Sequence, residues 1–172
     1  MRKRCWLLVL LTLPLAGQND TWKKYDNATG NFSVLLPAEP QDTALPETGG
    51  IEAHVLVAQE KGVRFTVISA SFAREQPVDD ANYGEYKAGV LSKLPNCEVG
   101  AEQQPAPALS GYIGHWYKLN CIASNDKITI EGNLYWGKHY SYAVLALFAA
   151  GAEEPPAVKK FTGSFALLKP EK

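Results

Sequence analysis

From residue 51 onward, apolar and polar side chains alternate with a period of two, the spacing that sends every second residue to one face of a strand. In 51–58, Ile51, Ala53, Val55 and Val57 share one face while Glu52 and His54 point the other way. Glu60-Lys61-Gly62 then turns the chain into 63–72, a run rich in β-branched and aromatic residues, so the two segments read as a hairpin. Further strands are predicted over 97–104, 112–122, 127–136 and 139–148. The short turns Ser124-Asn125-Asp126 and Gly137-Lys138 join the last three. An earlier short strand, Phe32–Leu36, stops at Pro37.

Two stretches change period. Tyr83, Tyr86, Val90, Leu91 and Leu94 recur at helical spacing within 79–94, behind Asp79 or Asp80 as the cap and ahead of Pro95. Pro155 and Pro156 open a short helix through Val158 and Phe161 that ends near Gly163, and 164–168 packs back as a closing segment. Within 127–136, Ile128, Ile130, Leu134 and Trp136 form the core face, opposed by Thr129, Glu131, Asn133 and Tyr135. The strand 139–148 is apolar on both faces, which predicts the centre of the sheet. The expected fold class is α+β, a mostly antiparallel sheet of about six to seven strands packed as a sandwich with two helices.

The N-terminus breaks the pattern. Arg2, Lys3 and Arg4 precede the largely apolar run 5–16, after which the chain turns polar at Gln18. That order reads as a signal peptide over 1–17, with one domain over 18–172. The run is too short for a membrane span, which takes about 20 apolar residues, and no later segment approaches that length. Three of the 17 basic residues and none of the 18 acidic ones fall in the signal, leaving 14 against 18 and a formal charge of −4. A mildly acidic chain without a basic run is a poor partner for nucleic acid, and the expectation is an exported monomer, periplasmic or extracellular. Three glycosylation-type triplets begin at Asn19, Asn27 and Asn31, and they matter only in a eukaryotic secretory pathway.

The segments Tyr25-Asp26-Asn27-Ala28-Thr29-Gly30-Asn31-Phe32-Ser33-Val34-Leu35-Leu36-Pro37 and Phe161-Thr162-Gly163-Ser164-Phe165-Ala166-Leu167 resemble the opening and closing of a group of bacterial exported domains. The fold of that group is similar to the one shared by the photosystem II extrinsic protein PsbP and the Ran-binding protein Mog1. The resemblance implies a PsbP/Mog1-like sandwich and export. It brings no catalytic signature, metal ligands or cofactor to positions of this sequence.

Without Cys5, two cysteines remain in a compartment that permits disulfides. A hairpin of 97–104 and 112–122 folded about residue 109 sets Cys97 opposite Cys121, so a disulfide is expected there. His54, His115 and His139 fall on three different strands without ligand-type spacing, and Gly163-Ser164-Phe165 lacks the second glycine of a nucleophile elbow. Aromatic residues crowd the last three strands. On 112–122, Tyr112, Trp116, Lys118 and Asn120 share one face and form a candidate binding patch for a protein, peptide or glycan. Two functions stand side by side. One is a non-enzymatic binding or assembly domain that needs no cofactor. The other is a small hydrolase or metal-dependent enzyme whose site assembles from His54, His115 and His139.

Overall fold

The computed structural model describes residues 22–170 apart from 95, 104, 105 and 124. The predicted signal peptide, the triplet at Asn19 and the expected helix stop at Pro95 lie outside the described residues.

The alternating segments pair in chain order wherever a short turn links them. β4 (Ile51–Glu60) and β5 (Val63–Phe72) join through Lys61 and Gly62, both at positive φ (49° and 80°), the conformation that matches a two-residue hairpin to the twist of its strands. β6 (Cys97–Gln103), β7 (Ile113–Ala123), β8 (Asp126–Trp136) and β9 (Tyr140–Ala149) form a meander. With β3 (Gln41–Ala44) they build a seven-stranded antiparallel sheet ordered β3-β4-β5-β9-β8-β7-β6. β9 is the fourth of seven, the central position its two apolar faces predicted.

A second sheet, absent from the sequence reading, holds β1 (Lys23–Asn27), β2 (Phe32–Leu36) and β10 (Ala166–Leu167) in the order β1-β2-β10. Ten strands in two sheets therefore replace the expected six or seven among the described residues. Polar composition hid β1 and β3, which carry Lys, Asp, Gln and Thr at positions largely open along an edge and end, in β1, on the buried Asn27. The turn between β1 and β2 is set by Asn27, whose Oδ1 accepts the Gly30 amide at 2.6 Å. Asn27 and Asn31 are both buried, and the Asn31 side chain is engaged at both ends by the Lys169 backbone. These two triplets therefore present no free amide for a glycan in the folded chain.

Helix α1 (Asp80–Ser92) starts at Asp79, whose carboxylate accepts the Asn82 amide at 2.8 Å, and α2 (Pro156–Ser164) starts behind Pro155. The two helices cover opposite faces of the large sheet. α1 lays Tyr83 over Tyr117, Leu119, Ile130, Leu134, Ala143 and Leu145. On the other face, α2 and the small sheet bury Phe32, Val34, Val158 and Phe161 against Phe65, Val67, Tyr142 and Val144. Each such side chain contributes roughly 1.5–3 kcal/mol by leaving water, so these two layers hold the strands in place. Gly132 in β8 approaches β9 so closely that a Cβ would stand 1.9 Å from the Val144 carbonyl oxygen.

The expectation that Thr129, Glu131, Asn133 and Tyr135 form an outward face of β8 is corrected here. All four are buried, at 5%, 3%, 1% and 2% exposure, because the unforeseen small sheet and α2 lie over that face.

Candidate functional site

The three histidines do not converge. His54 on β4 takes Asp42 as its partner at 3.1 Å, His115 on β7 takes Glu102 at 2.8 Å, and His139 takes Glu75 at 3.6 Å. Four strand spacings separate β4 from β7, roughly 19 Å at about 4.8 Å each. The register adds a second separation: His54 lies on the face covered by α2 and the small sheet, His115 on the face covered by α1.

His115 belongs instead to a chain of polar contacts under α1. Glu102 Oε1 accepts from the Tyr117 hydroxyl at 2.9 Å and lies 2.8 Å from His115 Nδ1, and the Tyr117 and Tyr83 hydroxyls meet at 3.0 Å. Lys87 Nζ stands 3.9 Å from Glu102 Oε2. The hydrogen bond from His115 holds the Glu102 carboxyl below the usual range, and burial pushes the Tyr83 hydroxyl up to about 12. A bulge makes this arrangement. Cys97 pairs with Cys121 and Val99 with Leu119, but past Gly100 the register shifts so that Glu102 pairs with Tyr117. Without the extra residue Glu102 would pair with Trp116 and face away from His115.

The opposite face of β7 carries the predicted patch. Tyr112 is half-buried and packs on the core, its ring 5.7 Å from that of Tyr142, so it walls the patch. Trp116 is half-buried, Lys118 keeps 39% of its side chain exposed and Asn120 is exposed. Beside them on β8 the register sets Asn133 opposite Trp116 and Glu131 opposite Lys118. Lys118 Nζ lies 3.8 Å from Glu131 Oε2. That oxygen and Asn133 Oδ1 are buried acceptors with no hydrogen-bond donor among the described residues. Burial pushes the Glu131 carboxyl above its ordinary value, with Glu154 adding to the rise and Lys118 and Lys159 opposing it.

No family model and no curated protein matches the chain. The patch and the acceptors beside it form a half-exposed surface with an aromatic ring, a cation, an amide and two underused oxygens, the mixture that recognition surfaces employ. Sequence reasoning found Tyr112, Trp116, Lys118 and Asn120 but missed Glu131 and Asn133, since alternation alone assigns polar residues to solvent. It also missed Glu102, although Gly100 within a strand pattern signals a bulge.

Cys97 and Cys121 are joined by a disulfide, as their predicted pairing requires. No helix among the described residues is long and apolar enough to cross a membrane.

Proposed function

We propose that this chain is an exported binding domain that recognises a segment of a partner protein along β7, through Trp116, Lys118 and Asn120 beside Glu131 and Asn133. One observation carries the reading. Two neighbouring buried acceptors, Glu131 Oε2 and Asn133 Oδ1, have no hydrogen-bond donor among the described residues and stand directly across from the half-exposed Lys118 and Trp116 on the adjacent strand. An unmet buried acceptor costs roughly 1–3 kcal/mol, and a fold tolerates that most readily where the group has a use. Export is supported by the disulfide and by the N-terminal pattern of charge and apolarity. The order of strands and helices, with a closing α2–β10 segment, supports kinship with the PsbP/Mog1-like sandwiches.

The test is a peptide and glycan array probed with the wild-type chain and with Trp116→Ala, each checked for an unchanged melting temperature. The expected result is a set of peptides bound by the wild type and lost or weakened at least about ten-fold by the variant, the cost of deleting a central aromatic anchor. Binding confined to glycans, or peptide binding that survives the substitution, contradicts the proposal.

A further inference from the structure

A cavity of about 530 Å³ opens on the α1 face of the large sheet, the side away from Trp116. Its walls are Ile51, Phe72 and Trp136, with Arg74 and Gln76 at the polar side and the Gly49-Gly50 turn across one end. The volume falls within the range of small-molecule sites, roughly 300–1,000 Å³, and the mixture of aromatic wall and few polar groups matches them.

The walls are pinned. Thr48 and Ile51 exchange backbone hydrogen bonds at 3.2 and 3.1 Å across Gly49 and Gly50, whose φ values of 62° and 77° make a tight turn. The Ala73 amide donates to the Gly50 carbonyl at 2.9 Å and the Gln76 amide to the Lys138 carbonyl at 2.8 Å, fixing the segment that bears Arg74. Trp136 donates its indole N–H to the Pro77 carbonyl at 2.8 Å, and its ring packs at 5.0 Å from that of Phe72. Ile51 is 42% exposed at the mouth, an apolar side chain in contact with water beside two rings.

Charge decides the occupant. Arg74 has no acidic partner among the described residues, whereas nearby Glu75 is taken by His139 at 3.6 Å. Glu47 and Glu52 line a separate hollow of about 200 Å³ that shares only Gly50, Phe72 and Ala73 with this cavity. A guanidinium matches a carboxylate in a two-pronged geometry, and a ring pair with an open apolar edge matches a flat body.

We infer that this cavity binds a small aromatic carboxylate, its ring against Phe72 and Trp136 and its carboxylate on Arg74. The site stands apart from the β7 surface and its test does not depend on that reading. Full-length, isotopically labelled protein is titrated with indole-3-acetate, and with tryptamine as the same ring bearing a cation. Indole-3-acetate is expected to shift the resonances of Ile51, Phe72 and the Trp136 indole N–H at millimolar concentration or below. Tryptamine should shift them at least about ten-fold more weakly, and Arg74→Gln should weaken indole-3-acetate by a similar factor, as loss of one charged hydrogen-bonding pair implies. Arg74 is exposed, so the variant should keep its fold, and an unchanged melting temperature verifies this. Equal shifts with tryptamine, undiminished binding by Arg74→Gln, or no shift at these residues with indole-3-acetate overturns the proposal.

Discussion

A carboxylate that folding removes from water usually recovers its solvation through several donors. Glu131 is only 3% exposed, its Oε2 has no hydrogen-bond donor among the described residues, and the facing Lys118 ammonium stands 3.8 Å off. Burial therefore raises its pKa above the ordinary 4.5. A raised folded-state pKa means that the native state holds this proton more tightly than the unfolded chain. Its stabilising effect is full below about pH 4.5 and is lost as pH rises through the folded value. Glu131→Gln should accordingly raise the melting temperature at pH 7.5, by roughly a few degrees for a domain of this size, and by much less at pH 4. Thermal melts at the two pH values check this, and a lower melting temperature at pH 7.5 would show that the carboxylate is well solvated by its neighbours. Glu131 also marks where alternation misleads. Its polarity placed it outside, but the covering layer comes from β1, β2, β10 and α2, whose packing no local period reveals.

Within the elements, the edge of the large sheet at β6 depends on its bond to β7. Cys97 and Cys121 face each other across the two strands, closing a loop whose ends are 24 residues apart. On the chain-entropy account the bond contributes roughly 3.5 kcal/mol. It also anchors the strand whose bulge at Gly100 turns Glu102 under His115 and Tyr117. The double variant Cys97→Ser/Cys121→Ser should lose about that much stability in denaturant melts. In the wild type, intact mass should rise by about 2 Da on reduction, the two hydrogens of the thiols. A mass unchanged by reductant contradicts the bond. The pairing was legible because the export pattern leaves two cysteines and a hairpin centred on residue 109 sets them opposite, a register that holds from Cys97 to Val99. Glu102 was not, because one extra residue at Gly100 exchanges the two faces of the strand beyond it.

Across the whole molecule, three layers leave the Trp116, Lys118 and Asn120 face of β7 half-exposed. α1 occupies one side of the large sheet, while α2 and the small sheet occupy the other, with α2 lying over β5, β9 and β8. Both edges of the large sheet resist pairing with further strands, β3 by being short and carrying the charged Asp42, and β6 by its bulge and its glutamates. On the proposed reading, a partner would therefore meet side chains on β7 rather than a free backbone edge. Strand alternation, helix caps and the disulfide register were readable residue by residue. The second sheet and the separation of His54 from His115 were not, because both depend on which elements stack rather than on any local pattern. The most direct measurement replaces Asn120, exposed on the proposed face, with a photo-crosslinking phenylalanine analogue, and does the same at exposed Lys93 beyond α1 as a control. Irradiation in the producing cells should give a discrete higher-mass adduct from position 120 and none from position 93. Equal adducts from both positions, or none from position 120, would contradict recognition through β7.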